Sequence, residues 1–181
     1  MGKLILPSKP TLPAITTLIE PHMPEPVAPS SAPTDSLLLR QLRLFVAEVM
    51  RMLEGYTHEH LDIDADPATS RRAAEDACDA LSREIATQTM EISRAGSPAD
   101  RAAVDELRYL KAAIADELLL THTWPGRTRF TECLIETRLF GSSVAGDEIF
   151  RRIDALLNDA SGQPSQMAPL YLFAISIGFE G

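Results

Sequence analysis

The sequence SPADRAAVDELRYLKAAIADELLLTHTW, residues 97–124, predicts a long helix that packs among several others. Ser97 is a favourable N-cap, and Pro98 suits the first helical position. Apolar residues recur at helical spacing in one stripe: Val104, Leu107, Leu110, Ile114 and Leu118. A second apolar side carries Tyr109, Ala112, Ala113 and Leu120. A helix that is apolar on two sides is usually buried between neighbours, so we expect it to lie at the centre of the fold.

Two adjacent acids, Asp116 and Glu117, interrupt this helix near its C-terminal end. On a helical wheel, Asp116 points nearly opposite the main stripe and Glu117 flanks it. Carboxylates in so apolar a context must be paired, hydrogen-bonded or open to a cleft. Two alternatives follow from the pattern. The acids form an internal pair with Arg or Lys, or they line a cleft that receives a basic or amide-rich partner.

Composition limits the classes of function. The chain has 181 residues, 45% of them hydrophobic, which suffices for one domain or two small subdomains. Its formal net charge of −9 argues against binding to nucleic acid or to an anionic lipid surface. The two cysteines, Cys78 and Cys133, have no Cys or His at ligand spacing, so we expect free thiols. No stretch approaches the roughly 20 apolar residues of a membrane span.

Apolar periodicity predicts an all-α fold of six to eight helices over residues 35–181. Residues 1–34 contain eight of the thirteen prolines, so we predict an extended tail, either a dispensable leader or a segment that docks on a partner. Asp35 and Gly55 are expected to bound the first helix. The other predicted helices are a second from Pro67 to about residue 93, the central one, a shorter one through 130–139, one from Asp147, and a last one over about 166–177.

Two groups of polar residues are candidate metal sites. His58, Glu59, His60, Asp62, Asp64 and Asp66 suggest ligands, but Pro67 and Ala73 stand where a calcium-binding EF-hand loop needs Gly and Glu. In the central helix, Asp116 and Glu117 lie six and five residues from His122, whereas ligands on one helix face are three or four apart. There is no nucleophile elbow, phosphate-binding glycine loop or CxxC pair. The sequence therefore predicts neither a metal nor a cofactor.

A series of short motifs in fixed order carries a family resemblance: YL at 109–110, AAIADE at 112–117, WPG at 124–126, LFG at 139–141, AGDEIF at 145–150, Leu156, LYL at 170–172 and IGFEG at 177–181. Over residues 37–181 the chain resembles the cytoplasmic domain of the TssL/DotU/IcmH family of secretion-system inner-membrane proteins. The WPG and AG motifs look more like the type VI than the type IVb branch. Asp147 and Ile149 depart from the Glu and Phe more often seen there.

The resemblance implies two small packed helical bundles with a hook-like outline. It implies a non-enzymatic role in the type VI secretion membrane complex, at the cytoplasmic face of the bacterial inner membrane. The implied partners are another inner-membrane component, cytoplasmic baseplate subunits and a second copy of the chain, with no small-molecule substrate. Asp116 and Glu117 match the family's acidic pair, which is implicated in partner contacts at a cleft.

Two competing functions belong to other classes. A small helical metal-dependent hydrolase would use Asp116, Glu117 and His122, or the loop that carries His58 and His60. A tightly held stoichiometric ion in protein purified without a His tag would favour that enzyme. A stand-alone cytosolic helical adaptor would show a stop codon or a polar tail after Gly181.

The first prediction concerns the C-terminal end. The apolar residues 170–179 are too few to span a bilayer, yet they lead directly to Gly181. We expect the natural chain to continue with a short polar link and then about 20 apolar residues. The sequence of the full gene checks this. A continuation without such an apolar run would remove the membrane anchor implied by the resemblance.

Overall fold

The structure, a computed structural model, describes residues 36–58, 66–95, 101–160 and 165–181. All regular elements within these ranges are helices, which confirms the all-α prediction. They are α1 (Leu37–His58), α2 (Pro67–Ala95), α3 (Arg101–Thr121), α4 (Arg127–Phe130), α5 (Ile135–Phe140), α6 (Ala145–Leu157) and α7 (Ala168–Ser176). The tail predicted for 1–34, and the predicted cap of the central helix at Ser97 and Pro98, lie outside the described residues.

Asp35 and Gly55 are the predicted ends of α1. Ser36 caps the helix, because its hydroxyl accepts the N–H of Leu39 at 3.2 Å, whereas Asp35 lies outside the described residues. The prediction that Gly55 ends the helix was wrong, since α1 continues to His58. A helical glycine costs only about 1 kcal/mol. Packing beyond it opposes that cost, because the rings of Tyr56 and Trp124 lie 5.3 Å apart.

The start of α2 was predicted correctly at Pro67. Asp66, weighed above as a metal ligand, is the residue that caps this helix. One of its carboxylate oxygens accepts the N–H groups of Ala68 and Thr69 at 2.9 and 3.2 Å, and the other accepts the Thr69 hydroxyl at 2.6 Å. These bonds satisfy donors that have no partner inside the helix. The rest of that candidate loop, residues 59–65, is not among the described residues.

The single helix predicted over 130–139 is instead two short ones, α4 and α5. Leu134 separates them with an extended backbone (φ −52°, ψ 138°), which frees the next two N–H groups from helical bonding. Gly141 ends α5 in the left-handed region at φ 69°, as a helix-end glycine should. Helix α6 begins at Ala145, two residues before the predicted start at Asp147.

The central helix α3 contributes to two buried clusters. Its Val104, Leu107, Leu110 and Ile114 pack with residues of α1, α6 and α7, and its Ala112, Ala115 and Leu119 pack with residues of α1, α2, α4 and α5. Burial on two sides confirms that α3 packs between several helices, but the membership of the second side was partly wrong: Tyr109 and Ala113 pack in the first cluster, with the main stripe. Leu118, also expected to be buried, is only partly so and contacts both clusters. The hook-like outline stays a prediction.

One charged residue of α3 is buried without any warning from the sequence. Lys111 is 1% exposed; its ammonium donates to the side-chain oxygen of Gln88 and lies 5.5 Å from the ring centroid of Phe45. Burial lowers the pKa of Lys111 to about 8, against the opposing effect of nearby Glu84 and Glu91. The apolar second side of α3 therefore contains one partnered cation.

The second prediction tests the position of the core. Ile114 is 1% exposed, and truncating such a residue typically costs about 2–5 kcal/mol. Ile114→Ala should therefore clearly lower the denaturant midpoint. Asp105→Ala is the matched control, because Asp105 is exposed on the same helix and should lose little. Equal, small changes in both variants would mean that α3 does not form the core.

Candidate functional site

The buried carboxylate of Asp116 is bonded to the start of α5. Asp116 is 7% exposed, and its two oxygens accept the N–H groups of Ile135 and Glu136, each at 2.8 Å. These are the donors that the break at Leu134 frees, and the first N–H groups of a helix have no partner within it. This contact is not the Arg or Lys pair that was one of the two sequence alternatives, because it joins a carboxylate to a backbone N–H pair.

The ionisation of Asp116 is set by opposing effects. Burial raises its pKa to about 6, the hydrogen bonds from Glu136 and Ile135 lower it, and the carboxyl of Glu136 raises it. The group is therefore mainly ionised at neutral pH, which is the state that can accept two N–H donors. The two backbone N–H groups hold the Asp116 carboxylate in place without a Lys or Arg partner among the described residues.

The neighbouring carboxylate, Glu117, is half-buried and bonded to the last residues of the chain. One of its oxygens accepts the N–H of Glu180 at 2.7 Å, and the other accepts the N–H of Gly181 at 3.3 Å. Gly146 lies so close to this end that a Cβ there would meet the carbonyl carbon of Gly181 at 2.4 Å. Glu117 thus holds the IGFEG motif against α3. The close approach of Gly181 leaves no room for a side chain at Gly146.

A third carboxylate, Glu136, was missed by the sequence analysis. The Glu136 side chain is 4% exposed. One of its oxygens accepts hydrogen bonds from the hydroxyls of Tyr109 and Ser142, at 2.9 and 2.6 Å, and from the N–H of Val144 at 3.1 Å. The other oxygen accepts the N–H of Ala145 at 3.1 Å. Glu136 therefore supplies the hydrogen bonds at the start of α6, which has no side-chain cap of its own. Its one signal in the sequence is an acid between the apolar positions Ile135 and Leu139.

These carboxylates line a cleft beside the C-terminal segment, called here the acidic cleft. It has a volume of about 330 Å³, and its acidic lining residues are Asp116, Glu117, Glu136 and Glu180. Its apolar walls include Ala113, Leu120, Leu134 and Phe179, and no Lys or Arg is among the described residues that line it. A second cavity of about 280 Å³ also borders Glu117, Phe179 and Glu180. The predicted acidic pair therefore does border a cleft, although most of its oxygens already have partners.

The third member of the candidate catalytic set, His122, borders the second cavity together with Glu117 but is bonded to the backbone of its own helix. His122 Nδ1 lies 2.9 Å from the carbonyl oxygen of Leu118, whereas Asp116 and Glu117 are engaged with α5 and the C-terminal segment. Across the described ranges, no group of three or more His, Cys, Asp or Glu side chains could hold a metal ion. The His58 side chain and residues 59–65, which carry the other candidate ligands, are not described.

The geometry defines an all-helical domain with an acidic cleft, and two of the acids that line it, Asp116 and Glu117, are bonded to backbone N–H groups of neighbouring segments. The family model described as Type VI secretion system protein DotU matches residues 45–181, well over half of the chain. The chain belongs to this family, and it is a type VI secretion system component. Comparison with curated proteins and with solved structures finds no significant match.

A search of the described residues for a membrane span finds no helix with the length and apolar character that crossing a bilayer demands.

The third prediction separates the roles of the two adjacent acids in stability. Asp116→Ala leaves two buried N–H groups without partners, and each such loss costs about 1–3 kcal/mol. We expect the free energy of unfolding to fall by about 2–6 kcal/mol, the sum of the two losses. Glu117→Ala frees N–H groups that water can reach, so we expect a loss below about 1 kcal/mol.

Urea titration of both variants, with wild type alongside, measures these differences. A variant lacking Asp116 that unfolds at the wild-type midpoint would show that the bonds to α5 contribute nothing to stability.

Proposed function

We propose that this chain is a non-enzymatic component of the type VI secretion membrane complex, and that it links the inner-membrane anchor to the cytoplasmic baseplate through protein–protein contacts. Membership of the DotU family supports this role over the metal-dependent hydrolase and the stand-alone adaptor. The single observation that carries the contact is the acidic cleft, whose lining combines four acidic residues with apolar walls. The domain then acts at the cytoplasmic face of the inner membrane.

Within the cleft, Glu117 and Glu180 are the carboxylates that we assign to direct contact with the partner. Glu180 is exposed and Glu117 is half-buried, so both can be reached from outside. Asp116, the other residue of the predicted pair, is 7% exposed. We assign it a contribution through its negative charge and through the position of α5.

The partner surface that suits this cleft is basic or amide-rich, with an apolar residue between the cations. Charge complementarity of this kind sets specificity and the rate of association more than raw affinity. We assign that surface to baseplate subunits.

The fourth prediction tests the cleft with a variant that keeps its structure. In Glu180→Lys, the charge at residue 180 is reversed while its backbone N–H can still donate to Glu117. We expect binding to the cognate baseplate subunits to weaken about tenfold or more, because a like charge now meets the partner. Calorimetric titration at two salt concentrations measures the change.

Glu54→Lys is the matched control, since Glu54 is exposed on α1 and lines neither cavity. It makes the same change in net charge and should bind as wild type does. Melting curves of both variants confirm that they fold. Equal binding by a folded Glu180→Lys variant and wild type would exclude the cleft as the baseplate contact, without affecting the family assignment.

A further inference from the structure

Two exposed apolar residues border the acidic cleft on the side formed by α6. Val144 stands between Ser143 and Ala145, both of which line the cleft, and it is 57% exposed. Phe150, further along α6, is 37% exposed. Its ring borders Gly181, another lining residue, because a Cβ at Gly181 would lie 2.9 Å from a carbon of that ring. Val144 and Phe150 together are called here the apolar rim.

Exposure alone does not distinguish these residues, because single apolar side chains are common on protein surfaces. Leu157, at the other end of α6, is 78% exposed and lines neither cavity beside Glu117. Val144 differs from it by its position in the helix. Val144 is the N-cap of α6, where Val ranks among the least favourable residues and Ser, Thr, Asp and Asn are preferred. The residue type at 144 is therefore chosen against the preference of the helix.

The carboxylate of Glu136 explains how the fold tolerates a valine at this cap. It accepts the N–H groups of Val144 and Ala145, both at 3.1 Å, so α5 holds the start of α6. The side chain at 144 is thus not needed for α6 to begin there. A polar residue would still suit both the exposed position and the N-cap better in the isolated domain. A contact with another molecule is the account that explains an exposed valine in this place.

The lining of the cleft shows the same combination of charge and apolar surface. Leu120 and Leu134 line it and are only partly buried, beside the acids Glu117 and Glu180. A partner that only neutralised the acids would leave the apolar surface in contact with water. The segment that fits therefore carries a Lys or Arg for the acids and a bulky apolar residue next to it for the rim. Charge complementarity supports the cation, since the described lining residues include four acids and no base.

We propose that the apolar rim, Val144 and Phe150, is the apolar half of the partner contact at the acidic cleft, and that the baseplate segment it receives pairs a cationic residue with a bulky apolar one. This inference rests on the proposed function and adds to it the residues that contact the apolar side chain. The acids attract and orient the segment through their charge. Burial of the rim then adds affinity that salt does not screen.

The experiment titrates the full 181-residue chain with the purified cognate baseplate subunits in a calorimeter, at several temperatures and two salt concentrations. Val144→Ser removes the apolar side chain and gives α6 a favourable N-cap, so the variant should fold. We expect binding to weaken about threefold to tenfold. The heat-capacity change of binding should become less negative, because less apolar surface is buried. The salt dependence should match that of wild type, since no charge changes.

Two further variants isolate the position and the chemistry of the rim. Leu157→Ser is the matched control, because it replaces an exposed apolar residue of the same helix away from the cleft. It should bind as wild type does. Val144→Ile keeps an apolar side chain at the rim, so it should also bind as wild type does. Melting curves of all variants confirm that they fold.

The outcomes separate this inference from the proposed function. If Val144→Ser binds as wild type does while Glu180→Lys binds weakly, the rim lies outside the contact, and the baseplate contact at the acids stands. If Leu157→Ser weakens binding as much as Val144→Ser, the loss does not come from the rim, and the inference fails. If a folded Glu180→Lys variant binds as wild type does, the baseplate contact fails, and this inference fails with it.

Discussion

The two hydrogen bonds between the Asp116 carboxylate and the start of α5 join the short helices of the fold to the central helix α3. Helix α5 has six residues, and isolated helices of that length do not persist in water. Asp116 supplies partners for its first N–H groups from the middle of the longer α3. Glu136, which α5 then positions, does the same for α6. Helix α3 thus holds the start of α5 through the carboxylate of Asp116, and α5 holds the start of α6 through the carboxylate of Glu136.

This use of carboxylates explains why the apolar central helix tolerates two adjacent acids. Burying an unpaired charge is expensive, and a Leu at residue 116 would avoid that cost. A Leu would, however, leave two N–H groups of α5 unbonded in the interior, which also costs free energy. At the surface, the Glu117 carboxylate likewise accepts hydrogen bonds from the N–H groups of Glu180 and Gly181. Each acid of the pair therefore accepts backbone N–H groups from a segment that packs against α3.

The sequence predicted the helices well because apolar periodicity is a local signal, and α3 shows it on both sides. It failed where a distant contact overrode a local rule, as at Gly55, where the helix continues into the contact between Tyr56 and Trp124. The sequence could not indicate the partners of Asp116, because these partners are backbone N–H groups, which nearly every residue type carries. Lys111 was missed for a similar reason: its partner Gln88 lies on another helix.

The structural role of Glu117 does not prevent it from meeting a partner as well. An ionised carboxylate offers about four lone-pair sites, and the bonds to residues 180 and 181 occupy two of them. A cation that approaches from the acidic cleft can share the remaining sites while the C-terminal segment stays bonded. Asp116 has the same unused capacity, but burial withholds it from a partner. The adjacent acids therefore divide into one that builds the wall of the cleft and one that can both hold its edge and make contact.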